Sequence, residues 1–213
     1  ADRYQAKSMQ RILFALLLLL APPALAAPAA AVLSDADKAF IARVETYLSA
    51  ISTMDARFLQ FANGRLAEGR VLMARPGKMR IDYDPPVPVQ MVANGIWVLY
   101  FDKKLNQTSY IPSSRTPLAV LLREQVKLDG TVTITRLERS GSSARVTLML
   151  TDNPDSGTLT VVFEDAPLRL VKWEVVDAAG TRIEVALMDP RFGVTIDRDL
   201  FDIADPRVRT ERE

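Results

Sequence analysis

Lys78-Met79-Arg80-Ile81-Asp82-Tyr83 and, a few residues on, Val89-Gln90-Met91-Val92-Ala93-Asn94-Gly95-Ile96-Trp97-Val98-Leu99-Tyr100-Phe101 decide the fold. Met79, Ile81 and Tyr83 alternate with Lys78, Arg80 and Asp82, the period of a half-buried strand with one wet face. Asn94-Gly95 then joins two apolar runs, and both residues accept the positive φ that a tight hairpin turn demands. Moving outward, further strands read at 131–138, 145–151, 158–164, 168–176 and 182–188, separated by Ser140-Gly141, Asn153-Pro154, Ala166-Pro167 and Ala179-Gly180. Short turns between consecutive strands predict an antiparallel, up-and-down sheet. With about ten or eleven strands it is too wide to lie flat, and must curl toward a barrel or fold into a sandwich.

Two segments depart from this period. Ser34-Asp35-Ala36-Asp37 carries a capping box, and Ala36, Phe40, Val44, Tyr47, Leu48 and Ile51 recur at helical spacing, which predicts one amphipathic N-terminal helix. Thr116-Pro117 supplies a second helix start before Leu118-Ala119-Val120-Leu121-Leu122, a short, very apolar piece that must lie over something greasy.

Composition narrows the chemistry. The 213 residues contain no Cys and no His, which removes thiolate catalysis, disulfides, Cys-based metal sites and the usual general base. Nucleotide-binding glycine patterns and the nucleophile elbow are absent too. Asp82, Asp84 and Asp102 lie near Arg80, Lys103 and Lys104 and read as solvated charges, as do Arg136, Arg139 and Arg145 on strand edges. No catalytic residue, metal site or cofactor is expected, and with 27 basic against 26 acidic residues no nucleic-acid partner is expected either.

At the N-terminus, Met9-Gln10-Arg11, the apolar run 12–21 and Ala24-Leu25-Ala26 predict a signal peptide over residues 1–26, with residues 1–8 as a mis-assigned start. The run is shorter than the roughly 20 residues a membrane span needs. Removing Arg3, Lys7, Arg11 and Asp2 with it changes the formal charge from +1 to −1. Residues 27–213 are left as one domain, expected in the periplasm.

Several strands are apolar on both faces, most clearly Ile96-Trp97-Val98-Leu99-Tyr100-Phe101. One reading is a plain filled core against the helix or a second layer. A second is a concave wall around an apolar ligand, with residues 118–122 as its cover and Met54, Met73, Met79, Met91, Met149 and Met188 as adaptable wall material.

The order Arg75-Pro76-Gly77, the Met79–Tyr83 alternation with Asp84-Pro85-Pro86, Asn94-Gly95-Ile96-Trp97, Gln107 and Thr116-Pro117-Leu118 resembles the periplasmic outer-membrane lipoprotein carrier family, LolA. Phe58-Leu59-Gln60-Phe61 followed by Gly69 is similar to the family's first two strands, and the likeness runs over residues 35–205. The resemblance implies an unclosed antiparallel β-barrel with an N-terminal helix and a short lid helix over an apolar cavity. It implies a non-enzymatic monomer that takes acylated lipoproteins from an inner-membrane lipoprotein-releasing ABC transporter to the outer membrane or to an acceptor there. It also implies that Arg75 ties down a lid comprising Thr116, Pro117, Leu118, Leu121 and Leu122, and that Met79 meets the transporter. The candidate cavity lining is Phe58, Met73, Ile81, Tyr83, Met91, Trp97, Leu99, Leu148, Leu150 and Phe163.

Other readings compete with this one. A carrier of phospholipid or hopanoid-like lipid could use the same curved sheet. So could a sensor of mislocalised lipoproteins resembling the sigma-factor control protein RseB, although those sensors carry a further C-terminal domain. A structural envelope protein would instead show a filled core.

Overall fold

The computed structural model describes residues 29–202; the predicted signal peptide lies outside the described residues. One helix, α1 (Asp35–Ala50), precedes eleven strands. They are β1 (Thr53–Ala62), β2 (Arg65–Ala74), β3 (Lys78–Tyr83), β4 (Val89–Asn94), β5 (Trp97–Asp102), β6 (Gln107–Pro112), β7 (Val132–Ser140), β8 (Ser143–Leu150), β9 (Gly157–Asp165), β10 (Leu168–Asp177) and β11 (Arg182–Phe192). All form a single antiparallel sheet in the order β6-β5-β4-β3-β2-β1-β11-β10-β9-β8-β7. The mainly β, unclosed-barrel expectation is therefore met, and the sandwich alternative is not.

The opening is not where a simple meander would leave it. The first strand pairs with the last, Phe58 opposite Leu187 and Gln60 opposite Val185, so the free edges are the two middle strands β6 and β7. Residues 113–131 must then cross from one free edge to the other. That crossover holds two 3-10 turns, Ser113–Arg115 and Pro117–Leu122. The second is the short helix that Thr116-Pro117 predicts, and it takes the 3-10 rather than the α form. Six residues are too few to repay α-helical nucleation, and the Thr116 side chain makes no cap bond.

The capping box of α1 forms as its sequence indicates: Asp37 N–H donates to Ser34 Oγ at 3.2 Å and Ser34 N–H to Asp37 Oδ2 at 3.1 Å. Phe40, Ile41, Val44 and Leu48 make its buried face, while Ala36 at the first turn stays exposed. Burying each large side chain contributes about 1.5–3 kcal/mol. Two Asn-Gly turns pin the register of the first half of the sheet. Asn63 and Gly64 adopt φ of 50° and 73° between β1 and β2. Asn94 Oδ1 accepts from the N–H groups of Ile96 and Trp97 at 3.0 and 2.9 Å.

The two faces of the sheet separate by chemistry. The convex face carries a lattice of ion pairs across neighbouring strands: Asp55 with Arg70 at 2.9 Å and with Arg191, Glu174 with Arg145 at 3.2 Å and with Arg182 at 2.6 Å, and Lys172 with Glu184 at 2.9 Å. Beyond β11 the chain folds over this face. The 3-10 turn Arg198–Phe201 buries Phe201 against Leu72, Ala74 and Val92, beneath Lys78. The concave face is apolar and faces α1 and the crossover.

Candidate functional site

Alternation places one residue of every second position on the concave face. Met54, Ala56 and Phe58 of β1 stand beside Val71 and Met73 of β2, then Met79, Ile81 and Tyr83 of β3. On the far half the face continues through Leu148, Leu159, Val161, Phe163 and Trp173. Gly69 makes room for the Phe58 ring, because a Cβ there would come within 2.7 Å of it. The Phe58 and Tyr83 rings meet edge-on at 5.3 Å, and Tyr83 Oη donates to Gln60 Oε1 at 2.7 Å. Burial pushes the Tyr83 phenol above its ordinary range.

The crossover lies across this trough. Pro117, Val120, Leu121 and Leu122 are buried, and Val126 and Leu128 continue the contact as the chain passes α1. Between Leu121 above and Met54, Met73, Met79 and Trp173 below, the remaining void is about 10 Å³. That is room for no more than one water, so beneath Leu121 the trough is filled by the protein's own side chains.

Polar bonds, fewer and more specific, hold the crossover down. Arg75, at the end of β2, is buried and has no carboxylate partner among the described residues. Its Nε and Nη2 donate to the Leu121 carbonyl at 2.9 and 2.7 Å. Its Nη1 donates to the carbonyls of Leu48 and Ile51 at the C-terminal end of α1, the latter at 2.8 Å. One guanidinium thus joins crossover, helix and sheet, at a helix end that favours positive charge. Burial pushes its pKa down to about 10. Next to it the Gly77 N–H donates to the Leu122 carbonyl at 2.7 Å. Farther along, Val126 N–H donates to Ser49 Oγ at 3.0 Å, and Glu45 takes Leu128 N–H at 2.7 Å and Lys127 Nζ at 2.9 Å.

Of the residues singled out by sequence, Phe58, Met73, Ile81, Tyr83, Met91, Leu148, Leu150 and Phe163 meet on or beside this concave cluster. Trp97 and Leu99 do not. Leu99 pairs with Val92 and Trp97 shares its parity, which turns both to the convex side, Trp97 42% exposed and Leu99 buried. The concave residues of β5 are Val98 and Tyr100, opposite Ala93 and Met91. Met149 and Met188 are likewise convex, opposite Thr158 and Arg57. Met79, expected at an accessible mouth, is 5% exposed beneath Leu121. Thr116 and Leu118 are half-buried at the start of the crossover. Sequence reading missed Trp173 as a floor residue and the α1 carbonyls as acceptors for Arg75. No side-chain pattern marks a carbonyl acceptor. Asp82 and Asp84 are ion-paired with Arg80 and Arg57, and Asp102 folds its own turn by accepting from Lys104 and Leu105 N–H at 2.9 Å.

An open antiparallel half-barrel whose apolar trough is covered by its own crossover is an architecture suited to carrying lipid or lipoprotein. The family model described as outer membrane lipoprotein carrier protein LolA matches residues 49–204, and the chain belongs to that family. It is 27% identical over 176 residues to an outer-membrane lipoprotein carrier protein of Methylococcus capsulatus, covering 77% of this chain and 83% of that one. It is 30% identical over 158 residues to the protein of the same name in Xanthomonas campestris pv. campestris, covering 67% and 73%. Among solved structures, a LolA superfamily protein of Nitrosomonas europaea overlaps 76% of this chain and 97% of its own, at 10% identity and a TM-score of 0.43.

Proposed function

We propose that this chain shields the acyl chains of lipoproteins within the concave trough and moves them across the periplasm, from an inner-membrane lipoprotein-releasing ABC transporter to the outer membrane or an acceptor there. The supporting observation is the lid: the 113–131 crossover covers the trough, leaving only about 10 Å³ beneath Leu121, yet is tied to the sheet side by a handful of hydrogen bonds centred on Arg75. Each buried CH₂ of an acyl chain contributes about 0.8 kcal/mol, so several long chains would bind almost irreversibly to an open trough. A lid that must be displaced takes part of that free energy and leaves release possible. In the absence of cargo the same lid covers apolar surface that would otherwise drive aggregation.

Arg75 fits the role of a releasable latch. Its desolvation at neutral pH, which pushes its pKa down to about 10, works against closure by on the order of 3 kcal/mol. Its hydrogen bonds offset that, and opening the lid returns the cation to water. Met79, under Leu121, reaches a partner only in the opened form.

The test is to isolate the exported form from periplasmic extract and identify by mass spectrometry what it carries. Acylated lipoproteins at one per chain are expected. Phospholipid or hopanoid alone would reassign it as a lipid carrier. An empty chain that also ignores apolar dyes would make the filled trough a simple core.

A further inference from the structure

The large apolar side chains left exposed are not scattered evenly. Three belong to one rim of the half-barrel, formed by the β1–β2 turn, the β3–β4 loop and the β5–β6 turn, which stand side by side because the strands do. Phe61 (48% exposed) and Leu66 (66%) are cross-strand partners next to the Asn63-Gly64 turn, and Leu105 (61%) sits at the β5–β6 tip. Exposed Pro85 and Pro86 lie between them. With strands about 4.8 Å apart, the two tips are roughly 15–20 Å from each other.

The cations beside these residues lack ion-pair partners. Arg65 adjoins Leu66, and Lys103 and Lys104 adjoin Leu105; among the described residues none of the three has a carboxylate within ion-pair distance. The acidic groups of the rim are already committed. Glu68 and Asp84 both hold Arg57, and the Asp102 carboxylate is held by the main-chain N–H groups of its own turn. What remains outward is a row of apolar points flanked by Arg65, Lys103 and Lys104, on a rim whose four cations outnumber the carboxylates of Glu68, Asp84 and Asp102 by one.

We propose that this rim docks on the surface of a bilayer containing anionic lipid. A protein partner would need a concave or flat patch with pockets for its anchors, whereas isolated leucines on separate turn tips complement a deformable apolar phase. Basic residues beside each tip complement lipid headgroups at the depth the leucines would reach. The inference rests on the carrier reading for its purpose, placing the loaded trough beside the membrane, but the docking itself needs no cargo.

Vesicle co-sedimentation of the cargo-free exported form, residues 27–213, tests it without interference from the apolar leader. Binding to phosphatidylethanolamine vesicles containing phosphatidylglycerol is expected, weakened by 0.5 M salt and by omission of phosphatidylglycerol. L66S and L105S should each reduce partitioning about tenfold, and K103E with K104E should abolish the anionic-lipid preference. Melting temperatures establish that the variants fold. No binding to anionic vesicles, or binding that the double leucine variant retains in full, overturns the proposal. If vesicles are ignored while L66S and L105S impair hand-over to an acceptor protein, the rim is a protein contact and the proposal also fails. Lipoprotein recovered from a chain that ignores vesicles would refute the docking and leave the carrier reading standing.

Discussion

Arg75 and Asp55 are both buried charges, and they behave oppositely. Arg75 answers only to main-chain carbonyls, so replacing it by Leu removes its charge-assisted hydrogen bonds and leaves the Leu48, Ile51 and Leu121 carbonyls without them, a loss that relief of the cation's desolvation offsets in part. R75L should therefore lower unfolding free energy by about 3 kcal/mol while raising binding of an apolar dye several-fold, read by urea titration and dye fluorescence in parallel. Unchanged dye binding at native stability would remove Arg75 from the latch. Asp55 instead sits between Arg70 and Arg191, and the hydrogen bonds from Arg70 chiefly, then Arg191, hold its carboxyl below the ordinary range despite burial. The folded form thus binds a proton more weakly than the unfolded chain does. Its contribution is fully present above the ordinary carboxylate value near 4 and is lost as pH falls from there through the lower folded pKa. Because both arginines are largely exposed, the loss should be on the order of 1 kcal/mol. D55N should flatten the acid limb of a stability-versus-pH curve, and an identical limb in both proteins would show that the destabilising proton binds elsewhere.

Among the elements, the crossover is the one whose behaviour separates lid from core. Leu121 lies over Met54, Met79 and Trp173, where an ionised Asp cannot remain. L121D should lift the crossover, leave the strand signal in circular dichroism intact and abolish cargo capture; global unfolding would mean that the segment is part of the core. Sequence made this element legible through Thr116-Pro117 and its run of aliphatics, and made the sheet legible through alternation and Asn-Gly turns. It did not resolve the faces of β5, since Ile96 to Phe101 is apolar at every position and parity leaves no mark. Trp97 and Leu99 read from sequence as concave for that reason, although the strap carrying Phe201 gives the convex side an apolar satellite of its own. The seam between β1 and β11 was also invisible, being a pairing of residues more than 120 apart in the chain. Met79 could be placed on the correct face by its alternation with Arg80, but not beneath Leu121, which depends on where the crossover lies.

At the scale of the whole molecule, the proposed carrier role makes the lid and an acyl chain alternative partners for the same apolar trough. The void of about 10 Å³ beneath Leu121 leaves no space there for an acyl chain, so on that proposal loading at this point and lid displacement are one event. Hydrogen exchange reads this directly, because the Gly77 N–H is bonded to the Leu122 carbonyl, and the Val126 and Leu128 N–H groups to Ser49 and Glu45 of α1, only while the lid is down. The measurement is amide exchange of residues 27–213 with and without a triacylated lipopeptide. Loss of protection at Gly77, Val126 and Leu128 on loading, with β1, β2 and β11 unchanged, is the predicted result. Full protection of those amides with lipopeptide bound would place the cargo elsewhere and contradict the competition between lid and acyl chain.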